Sequence, residues 1–197
     1  MPRDQRIITA DDIMDLGTYE TIRADKRQEN ILRKKFRRLS VGPHVTVLFE
    51  NWDTMWWQVQ EMLRVEKGGA EQLKDELAAY NPMIPDGREL TCTLMFEIDD
   101  PAVRARILGQ LGGIEDHFVI SVGDEHIRGV PEGDVERTRE DGKASSVHFL
   151  HFPFTDAQVA KWRSGEGQAM FRIEHPNYGH IALINEAMRR ELTNDFS

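Results

Sequence analysis

The chain has 197 residues, of which 40% are hydrophobic and 30% are charged, and its formal net charge is −9. This length suits one domain, and no window approaches the roughly 18 uncharged apolar residues of a membrane span. The single cysteine, Cys92, excludes an internal disulfide and a metal site made only of cysteines. Because no secretory signal is visible, we expect a cytoplasmic protein with one domain over 1–197, helix-rich over 1–88 and strand-rich over 89–197.

The first clear element is a basic amphipathic helix, predicted over Asp25–Leu39. Residues 23–38 contain eight basic and two acidic residues, a local charge of +6, so the rest of the chain carries −15. Leu32, Phe36 and Leu39 recur at helical spacing and predict the buried face of this helix. A basic stripe of this kind suits a solvated helix face, an anionic protein partner or nucleic acid. The acidic remainder of the chain disfavours nucleic acid.

Hydrophobic periodicity then predicts alternating strands and helices along the rest of the chain. Strands are expected over 44–50, 90–98, 117–122, 125–130, 147–154, 168–174 and 181–184, and helices over 51–66, 70–80, 99–111, 156–162 and after 185. Gly123-Asp124 is a hairpin signal, and 131–145 lacks apolar periodicity, which predicts a long mobile loop. The order favours an α+β fold: an antiparallel or mixed sheet of about five to seven strands with helices packed on it, and a mainly helical N-terminal part.

Histidines on the predicted strands suggest a metal centre. His148 shares the apolar face of its strand, and His175 ends the apolar face of the next strand. If these two strands pair in antiparallel fashion, their two imidazoles meet, and Glu50 or Glu61 can add a carboxylate. Two histidines and one carboxylate suit iron or zinc. The alternative is that each histidine is a hydrogen-bonded core residue, and the centre requires His148 and His175 to lie on adjacent strands.

Other candidate groups allow a functional and a structural interpretation. Cys92 alternates with leucines, which favours a buried thiol over a nucleophile. Trp52, Trp56 and Trp57 surround one predicted helix start, where they suit a ligand-binding wall, a core cluster or the seam of a homodimer. Glu61 lies on a polar helix face that fits either a pocket or solvent. Whether the protein is an enzyme stays open at this point.

Five motifs in order, spread over about residues 8–191, resemble a bacterial family catalogued as a domain of unknown function, number 3501. They are Val41-Gly42-Pro43-His44, Phe49-Glu50-Asn51, the segment 58–64, the segment 146–150 and His175-Pro176-Asn177-Tyr178. The resemblance implies genomic neighbours that are rubrerythrin-like di-iron proteins and iron–sulfur proteins. It therefore implies a role in iron handling, redox chemistry or peroxide defence.

Two hypotheses follow from the residues and the resemblance together. The leading one is a protein of redox or oxidative-stress metabolism that binds iron or zinc through His148, His175 and either His44 or Glu50. If it is an enzyme, Glu61 is the expected general base. The alternative is a non-catalytic adaptor that docks onto a rubrerythrin-like di-iron or iron–sulfur partner. The basic helix and the tryptophan-rich helix would then supply the contacts.

Overall fold

A computed structural model describes residues 6–133 and 143–197, so most of the loop predicted over 131–145 lies outside the described residues. The described chain forms six α-helices. They are α1 (Leu16–Lys34), α2 (Trp52–Glu66), α3 (Gly69–Tyr80), α4 (Pro101–Leu108), α5 (Asp156–Ser164) and α6 (Glu186–Leu192). Among these described helices, none combines the length and the apolar character that a membrane crossing requires.

Nine strands of the described chain pair in antiparallel fashion and confirm the α+β class. They are β1 (Arg38–Val41), β2 (Val45–Phe49), β3 (Glu89–Phe96), β4 (Phe118–Val122), β5 (Glu125–Arg128), β6 (Val130–Pro131), β7 (Val147–Pro153), β8 (Ala169–His175) and β9 (Tyr178–Ile184). The strands divide between two sheets, with orders β1-β2-β3-β7-β6 and β5-β4-β8-β9. The hairpin at Gly123-Asp124 joins β4 to β5 as predicted.

The two sheets face each other across one apolar core, and a helical layer covers the outer side of the larger sheet. Phe171 of the four-stranded sheet contacts Phe49 and Phe152 of the five-stranded sheet, with ring centroids 6.3 and 5.6 Å apart. Such edge-to-face pairs add about 0.5–1.5 kcal/mol each beyond the burial of their area. On the other side of the larger sheet, Phe149 packs against the cluster of Tyr19, Trp52, Trp56 and neighbouring residues.

Helix α1 both starts and ends earlier than the predicted range Asp25–Leu39, and it buries a different face; Leu39 lies in β1 instead. Asp15 caps it by accepting a hydrogen bond from the Thr18 backbone N–H at 3.0 Å. Leu32 is 66% exposed and Phe36 is 43% exposed, so the predicted buried face is wrong. The buried positions of the helix are Tyr19 and Asn30, because α1 packs along α2 rather than onto the sheet.

Arg37 follows α1 and belongs to the run of cations that suggested a solvated face, yet its side chain is fully buried. Its Nε donates to the Phe49 carbonyl at 3.0 Å, and its Nη2 donates to the Glu50 carbonyl at 3.0 Å. The same guanidinium forms ion pairs with the carboxylates of Asp195 and Glu191. One side chain therefore joins the end of α1, the end of β2 and the C-terminal segment.

Tyr178 of the four-stranded sheet joins that sheet to the β1–β2 turn of the five-stranded sheet. Its hydroxyl donates to the Val41 carbonyl at 2.9 Å and accepts from the His44 backbone N–H at 3.0 Å. Gly42, in the turn between β1 and β2, has a φ of 71°, and a Cβ there would lie 2.6 Å from the His180 ring. Both its backbone conformation and the close approach of β9 therefore require glycine at this position.

The Arg37→Ala variant is expected to lose about 3–5 kcal/mol of unfolding free energy, because it leaves buried carboxylate and carbonyl groups without their cation. Denaturant unfolding followed by circular dichroism measures the loss. Arg38→Ala is the matched control: Arg38 is half-exposed and pairs with Glu97, so its loss should stay at about 1 kcal/mol or less. Equal stability of the two variants would contradict the role assigned to Arg37.

Candidate functional site

A cleft of about 280 Å³ lies between α1 and α2, and we call it the α1–α2 cleft. Four of its residues come from α1: Lys26, Glu29, Asn30 and Arg33. Three come from the first turns of α2: Asp53, Trp56 and Trp57. The cleft is therefore built from the two segments that the sequence marked as basic and as tryptophan-rich.

The start of α2 is fixed by a capping box, which places the tryptophans. The Thr54 backbone N–H donates to Asn51 Oδ1 at 3.0 Å, and the Asn51 N–H donates back to Thr54 Oγ1 at 2.9 Å. Trp56 is buried and its indole N–H donates to the Asp12 carbonyl at 2.8 Å. Trp57 is only half-buried. Trp56 thus belongs to the core, whereas Trp57 offers an aromatic surface to the cleft.

Asn30 is the unusual side chain of the cleft, because it is polar, only 5% exposed and poorly satisfied. Its buried Oδ1 accepts no hydrogen bond from any residue that the structure describes. An unsatisfied buried acceptor costs about 1–3 kcal/mol, so a polar group from outside the described chain would be stabilised there. The natural complement is an N–H or O–H donor, which includes water.

Two ion pairs flank Asn30 and leave cationic donors unused. Lys26 Nζ lies 2.8 Å from Glu29 Oε2, and Arg33 Nη2 lies 3.3 Å from Asp53 Oδ2. Within the described ranges these are the contacts of the two cations, and each cation has further N–H groups to donate. The cleft therefore combines spare donors, one spare acceptor and an aromatic wall.

Glu61, the predicted general base, lies further along the same helix pair. Its carboxylate receives Arg23 Nε and Nη2, each at 2.8 Å, and the Tyr19 hydroxyl at 2.7 Å. Hydrogen bonding from Arg23 holds the pKa of Glu61 below its ordinary value, which weakens the carboxylate as a base. Its role as a general base stays a prediction, and its visible role is to brace α1 against α2.

The strand pairing on which the metal centre depended is wrong. β7, which contains His148, lies in the five-stranded sheet, whereas β8, which contains His175, lies in the four-stranded sheet. His148 is buried with its ring 6.1 Å from that of Phe96 and 5.6 Å from that of Phe118. Its Nε2 lies 3.0 Å from the Ser145 carbonyl oxygen. His148 lies on the inner face of its strand, as the alternation along the strand predicts, but alternation does not determine which sheet the strand joins.

His175 and His44 also make structural contacts. His175 Nδ1 accepts a hydrogen bond from the Asn177 backbone N–H at 3.2 Å, so the ring proton lies on Nε2 and points to the Gly112 carbonyl at 3.3 Å. Both nitrogens of His175 are thus engaged by backbone groups. His44 is half-buried beside Tyr178, with ring centroids 6.3 Å apart.

Glu50 lies on the opposite face of the five-stranded sheet from His148. It accepts a hydrogen bond from Thr93 Oγ1 at 2.6 Å, and Thr93 alternates with the inward-facing Cys92. Over 6–133 and 143–197, no three His, Cys, Asp or Glu side chains converge as a metal site requires. Because His148 and Glu50 lie on opposite faces of the sheet, they do not share a site. Iron or zinc binding by the other predicted ligands stays a prediction.

His151 forms a polar cluster that the sequence did not reveal. Its Nδ1 lies 2.8 Å from Glu89 Oε2, and its Nε2 lies 2.6 Å from Glu132 Oε2. The hydrogen bond with Glu89 raises the pKa of His151 above its ordinary value. Because the two acids come from distant parts of the chain, no local spacing could have shown them. With both ring nitrogens engaged, His151 links strand ends and has no free nitrogen for catalysis.

A family model described as "Protein of unknown function (DUF3501)" matches residues 7–196. The chain belongs to the DUF3501 family. A crystal structure of a novel protein of unknown function from Burkholderia pseudomallei K96243 is similar to this DUF3501 chain, with a TM-score of 0.89 and 34% identity. The similarity covers 96% of this chain and 99% of that one. No curated protein matches, and the redox neighbourhood expected for DUF3501 stays a prediction.

Glu50 gives a testable pH dependence. Burial raises its pKa above the ordinary value, and the hydroxyls of Thr54 and Thr93 offset only part of that effect. The folded state then holds a proton that the unfolded state has released, so unfolding free energy falls as pH rises from about 4.3 through the folded pKa. Glu50→Gln cannot lose this proton, and its stability relative to the natural protein should rise over that window. Urea unfolding at a series of pH values tests this, and parallel profiles would contradict it.

Proposed function

We propose that this DUF3501 protein is a non-catalytic adaptor, and that it docks a partner protein at the α1–α2 cleft. The observation that carries the proposal is the buried Asn30 Oδ1, which has no hydrogen-bond partner in the described chain, at the wall of a cleft with spare cationic donors. A buried acceptor of this kind reduces stability, and a bound partner that donates to it would recover that free energy.

Three of the groups first considered for chemistry are buried or held by structural contacts, which favours binding over catalysis. Cys92 is fully buried, and burial raises the pKa of its thiol, so a reactive thiolate is disfavoured. Glu61 is held by Arg23 and Tyr19. His175 is held at both nitrogens by backbone groups.

The surface of α1 favours a protein as the partner. Ile31, which is 49% exposed, and Leu32 on α1, with Phe36 after the helix, present large apolar side chains in the segment of highest positive charge, outside the lining of the cleft. Exposed apolar side chains of this size are typical of protein interaction sites, and the positive charge of the segment steers an acidic partner towards α1. The rubrerythrin-like or iron–sulfur partner implied by the family resemblance is the first class to test.

The Asn30→Leu variant separates stability from binding. Leucine has the same branched arrangement of heavy atoms, with methyl groups in place of the amide oxygen and nitrogen, and removes the unsatisfied acceptor, so the variant should be at least as stable as the natural protein, within about 1 kcal/mol or above it. Denaturant unfolding measures this. A loss of more than about 2 kcal/mol would show that Asn30 is already satisfied within the free protein.

The adaptor function is tested by retention of an identified partner. The tagged full chain is purified from its source organism under mild conditions, and the proteins retained with it are identified and quantified by mass spectrometry. Each identified protein is then mixed with the purified chain to test direct binding. An iron–sulfur or rubrerythrin-like protein should be retained by the natural chain. The amount retained should fall about tenfold with the Arg33→Glu variant. Arg106→Glu makes the same charge change at an exposed position of α4 and should retain it. Equal retention by both variants would contradict docking at the cleft.

Elemental analysis of the same preparations tests the metal hypothesis independently. Near-stoichiometric iron or zinc that disappears in a folded His148→Ala variant would establish a metal protein in place of the adaptor. Metal content that is unchanged in His148→Ala and His175→Ala would remove these histidines as ligands.

A further inference from the structure

The geometry points to the chemical group that the α1–α2 cleft receives: we propose that it binds the free C-terminal carboxylate of a partner's tail. This inference rests on the adaptor function proposed above. A chain end offers a carboxylate, a backbone N–H and a side chain within a single residue. The cleft offers a matching group for each: spare cationic donors for the carboxylate, a spare acceptor for the N–H, and an aromatic wall for the side chain.

Arg33 is the group that would hold the carboxylate. Its ion pair with Asp53 is a single contact of 3.3 Å, so most of the planar guanidinium fork stays available. A guanidinium binds a carboxylate through two parallel hydrogen bonds, which are stronger than neutral ones and fix the orientation of the ligand. Lys26 lies on the same wall, and its ammonium would add charge without geometric selectivity.

Asn30 would bind the last backbone N–H of the tail. Its Oδ1 is buried and accepts nothing from the described residues, so the side chain can turn towards the cleft without losing a hydrogen bond at Oδ1, and a donated hydrogen bond then satisfies that acceptor. An internal segment of a partner could supply the N–H but has no terminal carboxylate for Arg33. A chain end supplies both from adjacent atoms, and this distinguishes it from an acidic loop.

Trp57 and the size of the cleft determine which type of side chain the last residue of the partner's tail can carry. The indole of Trp57 is half-buried and lines the cleft beside the buried Trp56, so an apolar side chain can pack against it. A volume of about 280 Å³ is at the lower end of the range of small-ligand sites, which suits a chain end rather than a longer segment. Glu29 and Asp53 are also in the lining and are each paired with one of the two cations, so an acidic last side chain would bring a second carboxylate for which no further cation is present among the described lining residues.

The experiment uses the full chain and matched peptides that differ only at their end. Fluorescein-labelled pentapeptides of the form Gly-Ser-Gly-Ser-X, with X as Leu, Phe, Val, Glu or Lys, are each made as the free acid and as the C-terminal amide. Fluorescence anisotropy gives their affinities. For apolar X, the acid should bind at least about tenfold more tightly than its amide, and Glu as X should be weaker than Leu.

Variants assign the binding to the cleft. Arg33→Gln should remove the preference for acid over amide, because the glutamine carries no charge. Asn30→Leu should weaken the acid by about tenfold with folding intact, as its unfolding curve will show. Arg106→Gln, with the same loss of charge on α4, should bind like the natural chain to within about twofold.

Two outcomes would overturn the inference in distinguishable ways. If no acid binds more tightly than its amide while the partner is still retained in an Arg33-dependent manner, the tail is not the docked group and the adaptor function stands. If free leucine competes as well as the peptide acid does, the cleft is a small-molecule site, and both the tail and the adaptor function are wrong.

Discussion

The buried guanidinium of Arg37 is the interaction on which the arrangement of helices and sheets depends. It joins the segment after α1 to the backbone carbonyls of Phe49 and Glu50, and these two residues lead directly into the cap of α2. It also holds the C-terminal segment through Asp195 and Glu191. A buried cation is retained only where its hydrogen bonds and ion pairs offset the loss of hydration, so these segments must assemble together.

This constraint positions the α1–α2 cleft. The end of α1 and the beginning of α2 are both tied to Arg37, while the other end of α1 is braced by Arg23 and Tyr19 on Glu61. The helix backbones that form the cleft are thus held in place near both ends of α1 before any ligand binds. Preorganisation of this kind lowers the entropic cost of binding. Asn30 then stands out, because a rigid frame leaves its acceptor unsatisfied where an apolar side chain would be more stable.

Local patterns in the sequence predicted most elements and very few of their partners. Alternation over β3 and the Gly123-Asp124 hairpin are local signals, and the structure confirms them. The division of strands between two sheets depends on long-range packing that no single segment encodes, so the pairing assumed for His148 and His175 was wrong.

The candidate site was visible in the sequence only in part. The cationic run and the tryptophan cluster suggested the two walls, because charge and aromatic content are properties of composition. The buried Arg37 was indistinguishable from its exposed neighbours within a run of cations. The same limit applies to Asn30, whose importance comes from burial without a partner, which is a property of packing and not of residue type.

A crystal structure of the full chain with the tightest-binding peptide acid tests the central claim most directly. We expect the terminal carboxylate within hydrogen-bond distance of the Arg33 guanidinium and the last backbone N–H donating to Asn30 Oδ1, with the Asn30 side chain turned towards the cleft because its Oδ1 is buried in the free protein. A peptide bound elsewhere on the surface, with only a water molecule on Asn30 Oδ1, would contradict it.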